Sequence, residues 1–268
     1  MRYAEYPAPQ DLNDSIRCVW IFEASFDDAH DERIVPDGCP EIILHFGAPY
    51  RQFVSTGRWR NQPPLLLAGN LTRPLVLRAE GKVGVLGIRL WPHAVSRFTG
   101  NDPVEALDSR LPLRHRDIHF WRKRLAHASD AERLQVVPAI VSSLSREPFA
   151  PDNAVAWAVA EVFASRGQVD PARLAQGTQL SLRQLERRMK VATGLSLKLL
   201  ASLVRFRAVF DELKAEVPSP WLTAALGAGY FDQAHMIRDF KRFAGQPPRA
   251  FLANAGPLST SIVSAVTR

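Results

Sequence analysis

One pattern occurs twice in the last hundred residues: a short capped helix, a tight turn and a second amphipathic helix. The copies span 170–193 and 219–243, and their second helices begin at Ser181 and Asp232, 51 residues apart. Asp170-Pro171 places an N-cap before a proline at the first helical position, and Ser219-Pro220 repeats that start. Gly177 breaks the first short helix. Ser181 then opens the next, with Gln184 three residues on to complete a capping box, and the helix ends near Gly194. In the second copy Gly227 and Gly229 make the turn and Asp232 caps the helix. That helix runs to Phe243, where Gly245-Gln246-Pro247-Pro248 ends it. Arg249 to Ala253 is expected as a last short helix. Leu182, Leu185 and Met189 can face a core in the first unit, as can Met236, Phe240 and Phe243 in the second. Arg183, Glu186, Arg187 and Lys190 then share the opposite face of the first helix, and Gln233, Arg238 and Lys241 are the outward candidates of the second.

A charged helix face is usually just solvated. Two such faces, each after a capped helix and a turn, carry what a recognition helix needs: arginine for a guanine edge, glutamine for adenine and glutamate for cytosine. Between the copies, Ser196 opens a long helix with a stripe of Leu199, Leu200, Leu203, Phe206, Phe210 and Leu213. Reaching to about Glu216, it would be about 30 Å long, close to the roughly 34 Å pitch of B-DNA. Such a strut can set two recognition helices in successive major grooves on one face of the duplex. Upstream, Asp152 is placed to cap a further helix that runs to about Arg166 and stops at Gly167.

The first hundred residues read differently. Short β-branched and aromatic runs recur at Val19–Phe22, Glu41–Phe46, Leu65–Leu67, Pro74–Leu77 and Val83–Leu90, separated by turn signals such as Pro36-Asp37-Gly38. Closely spaced short strands predict a small barrel or sandwich. From about Trp91 the period becomes helical. Ala94 to Phe98 can open a helix, and Leu134, Val137, Val141 and Leu144 form a stripe within 131–146. That stripe fits two roles equally, a contact in a homodimer or packing on the barrel. The expected fold class is α+β, with two parts. Residues 1–150 comprise a β-barrel to about 92 and a helical segment over about 93–147, and residues 151–268 form an all-α part.

Charge follows this division. Residues 1–151 hold 19 Lys and Arg against 18 Asp and Glu, whereas residues 152–268 hold 15 against 9. A basic part beside a neutral one suggests a polyanion as partner. No apolar stretch approaches the roughly 20 residues of a membrane span, and the polar start lacks a signal peptide's apolar core. A cytoplasmic protein is therefore expected. Cys18 and Cys39, the two cysteines, make neither a disulfide framework nor a four-cysteine zinc site.

At the repeated units the sequence resembles the AraC/XylS family of transcription activators, over about 165–252. The carrying residues are Leu174-Ala175, the run Ser181 to Lys190, and Thr193-Gly194-Leu195-Ser196. The second unit is more specific, with Gly229-Tyr230-Phe231-Asp232, Arg238-Asp239-Phe240-Lys241 and the exit from Gly245 to Pro248. The resemblance implies two helix-turn-helix units joined by a long helix. By motif position it implies contacts to DNA from Arg183, Glu186 and Arg187 in the first unit and from Gln233, Ala234, His235 and Arg238 in the second, and Lys190 on the same outward face is a further DNA-binding candidate. Met189 replaces the family's usual phenylalanine, a tolerable core exchange, and Leu197 stands where proline is common. Val35-Pro36-Asp37-Gly38-Cys39 and Gly87 to Pro92 look like segments of one subgroup of these regulators. A cupin-like N-terminal domain used for effector binding or dimerisation is implied with them. The implied partners are double-stranded DNA, RNA polymerase for an activator, a small-molecule effector and a second copy of the chain.

No catalytic signature is present, so no catalytic residue and no cofactor are assigned. Asp37, Cys39, Glu41 and His45 fall within nine residues, but Pro36-Asp37-Gly38 is more simply a turn than part of a metal site, and no His-x-His occurs. The six tryptophans are most simply core residues. Two function classes remain: an effector-responsive DNA-binding regulator, and a small-molecule-binding or enzymatic barrel whose basic helical part serves protein contacts.

Overall fold

A computed structural model describes residues 1–54, 57–99, 102–146, 149–213, 221–253, 256 and 258, with the side chains of Leu213, Trp221, Leu222 and Leu252 left aside. Eight strands form one antiparallel sheet: β1 (Arg2–Pro7), β2 (Ile16–Ile34), β3 (Glu41–His45), β4 (Arg51–Phe53), β5 (Trp59–Asn61), β6 (Leu65–Ala68), β7 (Leu75–Leu90) and β8 (Arg110–Pro112). The order along the sheet is β1-β2-β7-β3-β6-β8, and the β4–β5 hairpin pairs with the far part of β7.

Alternation along the central strands explains why the sheet is covered on both faces. Val19 and Ile21 of β2 join Leu86, Ile88 and Leu90 of β7 in one core. Trp20 and Phe22 join Leu77, Val83 and Val85 in another, on the opposite face. A strand buried on both sides reads as an unbroken apolar run, as 83–90 does. Gly87 is required there, because a Cβ would come within 2.0 Å of the Trp20 ring.

The two longest strands correct the expected short ones. β2 runs 19 residues and β7 16. The pairing continues through the polar stretch Asp27–His30 by a register shift between Phe26 and His30. Pro74–Leu77 and Val83–Leu90, expected as separate strands, thus belong largely to one.

Helices cover the first core: α1 (Ser96–Thr99), α2 (Ile118–His127), α3 (Asp130–Gln135) and α4 (Val137–Leu144). The stripe expected over 131–146 is two helices meeting at Val136, with Pro138 in the first turn of α4, where its missing N–H is harmless. Val137 and Val141 are fully buried, and Leu134 and Leu144 pack partly against the same core. The stripe is therefore occupied within the chain.

The rest is helical: α5 (Asn153–Ala164), α6 (Pro171–Gly177), α7 (Leu182–Thr193), α8 (Leu197–Leu213), α9 (Trp221–Gly227), α10 (Gln233–Phe243) and α11 (Pro248–Ala253). Asp152, Asp170, Ser181 and Asp232 each cap the helix that follows, and Ser181 and Gln184 make the reciprocal capping box. Gly194 ends α7 at φ 74°, and Gly229 turns the chain before α10 at φ 81°. These left-handed conformations favour glycine. Ser219-Pro220 and the expected end of the long helix beyond Leu213 lie outside the described residues. The core of this part gathers Phe206, Phe210, Phe240, Phe243 and Phe251. Among the tryptophans, Trp20 and Trp121 are buried, but Trp157 is 41% exposed, against expectation.

The two parts meet through the loop between β2 and β3. Val35 belongs to the helical core. Gly38 sits so close to α8 that a Cβ would meet Leu200 at 3.0 Å. Arg17 stacks over Phe163 of α5 at 4.5 Å. Among the described residues no helix is long and apolar enough to cross a membrane.

Candidate nucleic-acid interface

Both second helices are amphipathic in the expected sense. Leu185 and Met189 of α7 and Met236, Phe240 and Phe243 of α10 are fully buried. Leu182, expected to face the core, is instead 43% exposed at the start of α7.

The outward faces differ in how their side chains are held. Arg183 and Arg187 of α7 are exposed and have no hydrogen-bond or ion-pair partner among the described residues, and the same is true of Gln233 and Arg238 of α10. Glu186 is half-buried, and its Oε2 accepts from the Leu197 backbone N–H at 3.3 Å, tying α7 to the start of α8. Lys190 folds back so that Nζ donates to Gly194 O at 2.6 Å. Ala234 is exposed. His235 is half-buried, with its ring edge-on to Tyr230 at 5.0 Å. Tyr230 in turn donates to the buried Asp239 at 3.0 Å.

Each helix is tied to the N-terminal part at its C-terminal end. Asn70 Nδ2 donates to Thr193 O at 3.3 Å beside α7, and Arg33 Nη1 donates to Ala244 O at 3.4 Å beside α10. The N-terminal halves, where Arg183 and Gln233 sit, carry no such tie. α8 contributes 17 residues between the units, about 25 Å of rigid helix.

Sequence reasoning passed over two features. Phe231, in the turn before Asp232, is 89% exposed, the most exposed of the large hydrophobic residues described. An aromatic residue in a polar turn was its one available signal. The second is a cavity of about 70 Å³ inside the sheet, lined by Trp20, Asp37, Glu41, His45, Tyr50 and Arg89 among others. Asp37 and Glu41 are committed to Arg89 here. Arg89 Nε lies 2.9 Å from Glu41 and 3.4 Å from Asp37, and Trp20 Nε1 donates to Glu41 at 2.9 Å. Burial pushes the Glu41 carboxyl up against the pull of Arg89. It also pushes the Cys39 thiol up to about 12, so Cys39 is no thiolate nucleophile.

Comparison with known proteins agrees with this geometry. Residues 174–254 match the family model described as a helix-turn-helix domain, and residues 4–112 match a domain of unknown function (DUF6597). No curated protein sequence matches the chain. Among solved structures, ToxT from Vibrio cholerae superposes with a TM-score of 0.52 at 11% identity, covering 96% of this chain and 100% of its own. ToxT bound to (E)-4-(8-methylnaphthalen-1-yl)but-3-enoic acid gives 0.51 at 12% identity, covering 94% and 99%. At such identities the likeness shows the fold: an N-terminal antiparallel sheet followed by a helical part. Residues 174–254 form a helix-turn-helix domain of AraC type.

Proposed function

We propose that the protein is an effector-responsive regulator that reads two successive major grooves with α7 and α10, residues 1–150 acting as sensor and 151–268 as reader. The observation that carries the reading is the set of four unpaired donors, Arg183 and Arg187 on one helix and Gln233 and Arg238 on the other. Each helix is fixed at its C-terminal end and free at its N-terminal end. Arg183 and Gln233 are the base-reading candidates, Arg187 and Arg238 contact base or phosphate, and Ala234 and His235 fill the approach to the second groove. Glu186 and Lys190 flank the first groove while bracing α7. One chain supplies both helices, so two half-sites are read without a second copy. RNA polymerase is the further partner where binding activates transcription, and the cytoplasm is the compartment of action.

Two observations support the effector. The sheet encloses a cavity, and the loop 35–39 that lines it also packs on α8. ToxT, which shares the fold, has been solved with a small organic acid bound. A gel-shift of the full chain on the DNA upstream of its own coding region, with a salt titration, tests the reading. The expected result is a specific complex whose affinity falls steeply with salt as counterions are released. Salt-independent binding, or none, contradicts it.

A further inference from the structure

The turn of the second helix-turn-helix unit is one residue longer than that of the first. In the first unit the N–H groups of Thr178, Gln179 and Leu180 donate to the carbonyls of Leu174, Gln176 and Ala175 at 3.0–3.1 Å. Ala228, Gly229 and Tyr230 repeat these bonds to Ala224, Leu226 and Ala225 at 2.9–3.0 Å. Gln179 and Gly229 both adopt positive φ, 57° and 81°. Leu180 and Tyr230 both pack on the helical core. Up to this point the two turns correspond residue for residue. In the first unit Ser181, the cap of α7, follows at once. In the second, Phe231 stands between Tyr230 and Asp232, the cap of α10.

Its neighbours hold Phe231 outward. Tyr230 is 3% exposed and its hydroxyl donates to Asp239 at 3.0 Å, while Asp232 Oδ1 accepts from the His235 N–H at 2.6 Å. Both flanking side chains are therefore fixed. An apolar residue just before a cap often packs back on the fourth residue of its helix. Here that residue is Met236, itself fully buried, and Phe231 at 89% exposure does not reach it.

The surroundings of the ring say what covers it. Gln233 and Ala234, which follow the cap, are both exposed, and Gln233 has no partner among the described residues. Residues 152–268, which carry them, hold 15 Lys and Arg against 9 Asp and Glu. The inserted ring thus lies at the free end of α10, beside Gln233, in a basic part of the chain. In the major groove of B-DNA every base edge offers hydrogen-bonding groups, and thymine alone adds an apolar one, its 5-methyl. A phenyl ring fits that methyl and bonds none of the polar groups. Gln233 is suited to adenine, and each adenine is paired with a thymine. The two side chains, two residues apart, suit one A·T stretch.

We propose that Phe231 is a specificity residue of the second recognition helix, packing its ring on the 5-methyl group of a thymine beside the base read by Gln233. The first unit lacks the inserted residue, so this requirement belongs to one half-site. The assignment rests on the DNA-reading function proposed above and adds to it a base and the atom read.

Anisotropy with the full chain and the duplex it binds upstream of its own coding region tests this. Each thymine is replaced in turn by deoxyuridine, which lacks only the methyl group. At one thymine, inside the half-site that loses protection in Gln233→Ala, deoxyuridine should weaken the native protein about fourfold, the share of one buried methyl. Phe231→Ala should weaken binding to the thymine duplex by about tenfold. Deoxyuridine at that position should then cost nothing further, because both changes remove one contact. Phe231→Leu keeps an apolar side chain and should retain most of the difference between the two duplexes. Native affinity in Phe231→Ala, the result if the ring meets a protein instead of DNA, would overturn the proposal. So would a loss equal on thymine and deoxyuridine at every position, or a lowered urea midpoint, which would make the ring part of the fold. No DNA complex from the native chain would sink the regulator reading itself, whereas a complex without this coupling sinks only the role of Phe231.

Discussion

The sheet and the helical part differ in what their charged side chains do. The sheet keeps charge inside: Arg89 is held among Glu41, Asp37 and Glu5, and Arg133, 3% exposed, bonds Glu23 at 2.9 Å while covering the Phe46 ring. The helical part gathers five phenylalanines in its core, buries Arg207 and Asp239 beside them, and leaves Arg183, Arg187, Gln233 and Arg238 to solvent. Buried ion pairs contribute little net stability, because desolvation offsets the attraction, but removing one partner is severe. Exposed cations contribute little to folding and a great deal to binding a polyanion. The sheet should therefore answer to pH and to small molecules, and the helical part to salt and to DNA.

The largest effect is expected where the aromatic core is densest. Phe206 meets the rings of Phe210, Phe240 and Phe243 at 4.9–5.3 Å. Phe206→Ala should lower stability by about 3–5 kcal/mol in urea unfolding and loosen α10 from α8. A loss below about 1 kcal/mol would mean that the cluster repacks and the contrast with the sheet is weaker than drawn.

Acid should strike the sheet next. His45 is neutral in the folded chain, pushed down by burial to about 4, against about 6.5 for an unburied histidine. Below that ordinary value the unfolded chain takes up the proton first. The stability is thus complete above about pH 6.5 and is lost as pH falls towards 4, by on the order of 3 kcal/mol. His93, lowered by burial in the same direction, adds to the slope. Urea midpoints between pH 7 and 4.5 should fall in the native protein and fall less in His45→Asn. Equal slopes would remove His45 from the account.

Smaller effects separate the two recognition helices from their supports. Arg183→Ala and Gln233→Ala should each weaken specific DNA binding by about 1–3 kcal/mol and leave non-specific binding nearly unchanged, as read by anisotropy on specific and scrambled duplexes. Loss of a cap should cost less. Ser181→Ala and Asp232→Ala remove the side chains that accept from Gln184 N and His235 N. Each should cost about 1 kcal/mol of stability, seen as a lower urea midpoint.

The same contrast governs what was legible in the sequence. Helix ends were readable because their signals are local: Ser181 with Gln184, Asp232, and glycine at 194 and 229. The sheet was only partly readable. β2 passes through Asp27-Asp28-Ala29-His30, a stretch with no strand signal, because a register shift lets its neighbour carry the pairing. β1, a polar and aromatic strand paired only with β2, gave no alternation to detect. At the interface, the free positions of Arg183 and Gln233 followed from helical spacing. The bond from Leu197 N–H to Glu186 did not, since it depends on how α7 meets α8. Leu258 inside the sheet was beyond any local pattern, being 226 residues from the carboxylate that receives its N–H.

The central claim is that one chain lays α7 and α10 into successive major grooves. Hydroxyl-radical footprinting of the full chain, Arg183→Ala and Gln233→Ala on one bound DNA tests it most directly. Each substitution should lift protection over its own half-site, the two changes centred about 10 base pairs apart on the same face of the duplex. Changes at the same base pairs, or a loss confined to one substitution, would contradict the two-groove account.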